Sequence, residues 1–197
     1  MTHLEALGMR ERILEMGLRL FVARGYDGIS MREIADACGL SKAGLYYHFK
    51  DKEDLFLAIL EDNLNELEKL TGLAASQPGG ARAQVAHFIK LLFTQLPAER
   101  REVIRLASQD MLKVSPERRA VFNQRYQQRF LGPVAGLLRA GVERGELRSM
   151  DSDLAVWGLL GLMYPFFNPA HARSAADSQR VIEFVLMVFF EGVTARD

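Results

Sequence analysis

The 197-residue sequence has a single cysteine, Cys38, so no internal disulfide framework holds it together. Cys38 falls on the inner side of a helical pattern, where a small buried hydrophobe is expected rather than a redox group. Long apolar runs are missing as well. Charges interrupt every stretch before the ~20 residues needed to cross a membrane. The opening segment MTHLEALGMRERIL has no apolar core of the signal-peptide kind, so a cytoplasmic location without a membrane partner is expected. There is no excess of either charge, since 25 Lys and Arg stand against 25 Asp and Glu. That balance argues against a sequence-blind coat for nucleic acid, which needs a strong basic surface. His3, His48, His87 and His171 are scattered without H-x-x-x-H or C-x-x-C spacing, so no metal site or cofactor is expected. Hydrolase, metalloprotease, dinucleotide and P-loop signatures are absent too, and an enzyme is not expected.

What is present is helix. Hydrophobic residues make up 49% of the chain, enough for a sizeable core. Apolar residues recur at helical spacing in Glu11–Arg24, closed by Gly25, and again from Asp51 to about Leu70. The stretch Thr71–Gly80, ending in SQPGG, reads as the one evident linker. Beyond it, Val85–Leu96 and Ala98–Lys113 form amphipathic helices. Ser115-Pro116 opens another that runs toward Arg144, with a kink expected at Gly132-Pro133. The fold class expected is all-α.

Between Ile29 and Lys52 the pattern becomes specific. Ser30 and Glu33 form an S-x-x-E capping box, so a helix should begin at Met31. Ile34, Ala35 and Cys38 supply its buried side, and Gly39 suits the left-handed turn that ends it. Ser41 caps a second helix anchored by Leu45 and Phe49. Its other side carries Lys42, Ala43, Gly44, Tyr46, Tyr47 and His48, too polar and aromatic for a hidden core. Two short helices around a glycine turn, the second with such a face, describe a helix-turn-helix fit for a DNA major groove.

The segment SMREIADACGLSKAGLYYHFKDKEDL, with RERILEMGLRLFVARGYDG upstream, resembles the N-terminal signature of the TetR family of transcriptional regulators. The resemblance covers about the first quarter of the chain. It implies a three-helix DNA-binding domain at 1–50 and a helical effector-binding and dimerisation domain at 51–197, joined by a helix over about 51–70. It also implies DNA contacts. Ser30 would cap its helix and meet a phosphate, and Arg32 would reach a phosphate or a guanine edge. Lys42 would donate to guanine or phosphate near the N-terminus of the reading helix. Ala43 and Gly44 allow close approach, Tyr46, Tyr47 and His48 would contact phosphate and sugar, and Lys52 would hold a phosphate. Residues 1–50 carry seven Lys or Arg against six acids. Bulk attraction to DNA is then weak, and binding leans on placed contacts and on pairing two copies.

The segments Asp151–Phe167 and Ala176–Val193 are apolar almost all the way round. A soluble helix without a polar face must be covered on more than one side. A second copy of the chain is the expected cover, in a four-helix bundle that makes a homodimer. Phe88, Leu92, Ile104, Met111, Tyr126, Phe130, Trp157, Tyr164 and Phe167 are candidates to line a cavity for a small hydrophobic effector. Residues 101–150 hold ten Lys or Arg against five acids. Arg100, Arg101, Arg105, Arg118, Arg119, Arg125 and Arg129 read mainly as a solvated face. The sharper reading is an anionic effector such as an acyl-CoA held at a pocket mouth. The functional expectation is a ligand-responsive repressor released from a pseudo-palindromic operator. The alternative is a DNA-bound adaptor that holds a protein partner and takes no small effector.

Overall fold

Every regular element among the described residues is helical. The structure, a computed structural model, describes residues 8–168 and 174–193, the side chains at 175, 192 and 193 excepted. The helices are α1 (Met9–Arg24), α2 (Met31–Cys38), α3 (Lys42–His48), α4 (Lys52–Ala75), α5 (Ala81–Thr94), α6 (Ala98–Asp110), α7 (Pro116–Tyr126), α8 (Gly132–Glu143), α9 (Ser152–Met163) and α10 (Ala175–Val193). His3 and His171 lie outside the described residues, as do the first seven residues of the opening segment.

The chain forms two compact units, which differ from the division expected at residue 50. One comprises the residues up to Asn63 together with Glu102–Phe122, and the other Leu64–Arg101 together with the residues from Asn123 onward. In the first unit, α1 ends at Gly25, whose φ of 70° lies in the region only glycine enters freely. The turn brings Tyr26 back onto Phe21 with ring centres 5.9 Å apart, and Phe56 of α4 meets both rings edge-on at 5.2 and 5.1 Å. This aromatic trio is the centre of a core that also buries Ile13, Ile34, Leu45, Leu55 and Ile59. Each such side chain contributes roughly 1.5–3 kcal/mol relative to exposure. At Gly17 an added Cβ would stand 3.0 Å from Ile59 Cδ1, so α1 and α4 pack closely there.

Segment 102–122 joins this unit through polar contacts. The Tyr26 amide donates to Asp110 Oδ2 at 3.0 Å in a buried setting, and Lys113 bridges Asp110 and Asp27 at 2.8 and 2.6 Å. Arg118 donates to both oxygens of Asp51, at 2.9 and 3.0 Å, and the Ser115 hydroxyl donates to Glu53 at 2.9 Å. The Arg118 guanidinium holds the Asp51 carboxyl below its ordinary range.

In the second unit, α5 packs on α8 and α10, and α9 packs on α8 and α10. Gly141 of α8 lets α5 approach, since a Cβ there would meet Ala81 Cβ at 2.5 Å. Glu146 accepts from the Ala81 amide at the start of α5. Arg101, only 5% exposed, donates to the Phe93 and Leu96 carbonyls at the other end, satisfying acceptors the helix leaves open.

Three local expectations change. Helix α4 continues to Ala75 because Leu70 and Ala74 remain on its buried stripe and Thr71 donates to the Leu67 carbonyl. The linker therefore shrinks to 76–80. The kink expected at Gly132-Pro133 is a wider turn over Gln127–Leu131, where the Gly132 amide bonds to the Gln127 carbonyl five residues back. Pro133 lacks a donor, and the wider spacing absorbs its ring without breaking the helical path. The helix expected to reach Phe167 stops at Met163 and tightens into a 3-10 turn at Tyr164–Phe166 around Pro165.

Replacing Asp110 with alanine strands the buried Tyr26 amide and leaves Lys113 with Asp27. The expected loss is about 1–3 kcal/mol of stability, read from the urea midpoint of unfolding.

Candidate nucleic-acid interface

Helix α2 begins where the capping box predicts. The Ser30 hydroxyl accepts from the Glu33 amide, and the Glu33 carboxylate accepts from the Ser30 amide at 2.8 Å. Glu33 also accepts from Arg24 at the end of α1 at 2.7 Å. The Ser30 and Arg24 hydrogen bonds pull the Glu33 carboxyl down to about 2. Gly39 closes α2 with φ 68° and ψ 31°, the left-handed conformation expected of it.

Helix α3 has seven residues and is capped by the Ser41 hydroxyl, which accepts from the Gly44 amide at 3.1 Å. Leu45 and Phe49 are buried, and α3 packs against α2. Those anchors decide what α3 presents outward. Lys42 and Ala43 are exposed, Tyr46 is 40% exposed and Tyr47 is 86% exposed. Gly44 and His48 are half-buried. The Lys42 ammonium lies 5.7 Å from the centre of the Tyr46 ring, and His48 stands edge-on to Tyr47 at 5.2 Å. Ser30 and Arg32 are exposed at the start of α2, and Arg32 reaches Asp36 only at 3.9 Å.

Lys52 is placed differently. It is half-buried, with its ammonium 4.5 Å from the Tyr26 ring, and burial lowers its pKa. A phosphate contact from Lys52 requires the side chain to leave that ring. Arg10, which the sequence pattern did not single out, lies over Phe49 at 5.1 Å and braces the end of α3. Its only signal was a basic residue in the first turn of an amphipathic helix, which is common.

The residues expected around an effector are distributed over both units. Phe88, Leu92, Tyr126, Phe130, Tyr164 and Phe167 belong to the second unit, and Ile104 and Met111 to the first. Within the second unit Phe130 meets Phe88 at 6.0 Å and Tyr126 at 5.2 Å, and Tyr164 meets Phe167 at 5.8 Å. The Tyr126 hydroxyl donates to that of Tyr164. Burial, above all, pushes Tyr126 well above the usual phenol range, so the pair is neutral. Trp157 departs from the expectation, because it is 49% exposed on the outer side of α9. An all-round apolar helix does not reveal which side faces inward.

Several of the arginines have internal partners. Arg101 serves the end of α5, Arg105 pairs with Glu102, Arg118 with Asp51, and Arg129 with Glu68 and Asn65. Among the described residues no group of His, Cys, Asp and Glu is placed to hold a metal ion, and no helix is long and apolar enough to cross a membrane.

A helix-turn-helix presenting basic, small and aromatic side chains from a two-turn helix defines the class of helical DNA-binding regulators. Residues 13–59 match the family model of bacterial regulatory proteins of the tetR family, so the N-terminal segment of the chain is similar to that family. Residues of this chain are 46% identical over 70 positions to the HTH-type transcriptional regulator AcrR of Shigella flexneri. That match covers 34% of this chain and 33% of AcrR, so the chain spans about a third of that relative. The HTH-type transcriptional repressor BepR of Brucella suis biovar 1 is 27% identical over 195 residues, 94% of this chain and 93% of BepR. The crystal structure of the TetR family regulator PfmR from Thermus thermophilus superposes with a TM-score of 0.76 at 27% identity, covering 91% of this chain and 97% of PfmR. AibR, solved with isovaleryl coenzyme A and operator DNA, has the same fold at a TM-score of 0.76 and 23% identity, covering 92% of this chain and 97% of AibR.

Two outcomes separate surface from scaffold in this region. Leu45→Ala should cost about 2–5 kcal/mol by emptying a buried site, whereas Tyr47→Ala should change stability by less than about 0.5 kcal/mol, both read by chemical denaturation. The Glu33 contribution to stability is present above its ordinary carboxylate range. Because its folded value is depressed, that contribution is lost as pH falls through about 2, and Glu33→Gln should flatten this part of the acid unfolding curve.

Proposed function

We propose that the chain is a homodimeric, sequence-specific DNA-binding transcription regulator. In this reading it is a repressor that a small lipophilic effector releases from a pseudo-palindromic operator. The observation that carries it is the α3 surface: Lys42, Ala43, Tyr46 and Tyr47 stand in solvent on a helix held from behind by buried Leu45 and Phe49. Arg32 is free to use its planar fork on a guanine edge or a phosphate. The capped starts of α2 and α3 offer amide donors to phosphates. The repressor reading draws on the similarity to BepR over nearly the whole chain.

Dimerisation through α9 and α10 is supported by what those helices leave uncovered. Leu154, Trp157, Phe184, Met187 and Val188 are exposed, and a Cβ added at Gly158 or Gly161 would meet nothing within 4 Å. An open groove of about 410 Å³, lined by Phe166, Asp177, Arg180, Val181 and Phe184, continues this surface. A second copy covers it by a twofold axis, each patch meeting its own image. Two reading helices then stand about 34–36 Å apart, one turn of DNA. An effector shifts that spacing only by binding one conformation more tightly than the other.

Fluorescence anisotropy with the protein's own upstream DNA tests the reading. Arg32→Ala should weaken binding about tenfold or more, and indifference to it would count heavily against a DNA role. Trp157→Arg combined with Phe184→Glu should give monomers in sedimentation and abolish tight DNA binding, while α1–α3 stay folded by circular dichroism. A cell extract should release the DNA. Persistence of the complex in every extract would favour the adaptor.

A further inference from the structure

Lys52, at the start of α4, stands among more acids than it can offset by itself. Asp51 and Glu53 flank it in sequence. Its ammonium lies on the Tyr26 ring, and Asp27 follows Tyr26 with an exposed side chain. Asp110 accepts from the Tyr26 amide at 3.0 Å. Four carboxylates therefore stand beside Lys52 or beside the residue it lies on. Asp54 adds another in the first turn of α4, accepting from the Lys50 amide at 3.0 Å. Left bare, such a cluster repels a phosphate and works against a bulk attraction to DNA that is weak already.

The charges that offset these acids come from outside the helix-turn-helix, on segment 102–122. The Lys113 ammonium bridges Asp27 at 2.6 Å and Asp110 at 2.8 Å. The Arg118 guanidinium forks onto both Asp51 oxygens, at 2.9 and 3.0 Å, and stands 3.5 Å from Glu53. Each of the two cations thus spans two of the four carboxylates. All of these residues belong to the first unit. The side chains of Lys113 and Arg118 are 39% and 40% exposed, and ion pairs this open to water add little to stability. Their field matters more, since it reaches about one Debye length, ~10 Å at moderate salt. Asp51 needs no arginine for its local task. It already caps α4 by accepting from the Asp54 amide at 2.7 Å.

We propose that Lys113 and Arg118 act as a charge shield, neutralising the carboxylates around Lys52 so that a DNA phosphate can approach the start of α4. This rests on the reading of the chain as a DNA-binding regulator. Neither residue has to touch DNA. With the shield in place, three cations stand among the four acids, and without it Lys52 stands among them alone. The head carries acids at this edge because their counter-charges arrive from elsewhere, Arg118 lying 67 residues beyond Asp51. Its affinity for DNA then depends on segment 102–122 staying in place.

Anisotropy with the full-length chain and its own upstream DNA separates a shield from a mechanical brace. Arg118→Gln should weaken binding about fivefold or more at low salt, with the deficit shrinking as salt rises. Adding Asp51→Asn should restore binding to within about twofold, because no bare charge is left and asparagine still caps α4. Arg118→Lys loses the fork and keeps the charge, so it should bind like the unaltered chain. Lys113→Gln should weaken binding in the same way, with Asp27→Asn restoring it. A brace gives the opposite pattern: the double variant as weak as Arg118→Gln, Arg118→Lys weak as well, and a deficit indifferent to salt. That pattern, or full binding by Arg118→Gln and Lys113→Gln, overturns the proposal. Thermal unfolding checks that each variant is folded, and Arg118→Lys with the Lys113 pair carries the test should Arg118→Gln fail that check. An unaltered chain that binds no upstream DNA tells against the regulator reading itself. Binding that ignores all of these substitutions overturns the shield alone.

Discussion

A seven-residue helix cannot sustain itself in water, because nucleating a helix costs more than two turns of hydrogen bonds return. Helix α3 exists because Leu45 and Phe49 are buried against the core around Phe21, Tyr26 and Phe56, and because Ser41 caps its first turn. Everything the head can offer to DNA follows from that constraint. Once two apolar side chains fix the inner face, Lys42, Ala43, Tyr46 and Tyr47 have only the outside left. The rigidity needed to read base edges comes from the burial behind the surface, and the surface itself contributes little to stability.

The near-neutral charge of the chain fits this arrangement. Many charges are spent internally: Glu33 on Ser30 and Arg24, Asp51 on Arg118, Asp110 on the Tyr26 amide and Lys113. The Asp51 and Asp110 bonds tie segment 102–122 to the head and make one unit out of stretches far apart in sequence.

Local signals were legible where the physics is local. The S-x-x-E spacing, Gly39 and the Leu45–Phe49 anchors predicted α2, the turn and α3 because caps, left-handed glycines and helical periodicity depend on neighbours within a few residues. Legibility failed where a distant part of the fold decides. The end of α4 at Ala75 depends on what buries Leu70 and Ala74. The outward position of Trp157 depends on which side of α9 meets α8 and α10. The internal pairing of Arg118 and Arg129 was not legible, because a sequence shows charges without their partners, and Glu68, Asn65, Asp51 and Glu53 lie far from them along the chain.

By itself, then, the sequence determined the helical class, the helix-turn-helix and the similarity of its N-terminal segment to tetR-family regulators, all properties of short-range pattern. It also required a cover for its apolar C-terminal helices, because hydrophobic area needs shelter whatever the topology. Only the tertiary structure decided which residues share a unit, which charges are already paired, and which way α9 turns Trp157. Those are questions of neighbours in space, and burial sets them by bringing together residues that the chain keeps tens of positions apart.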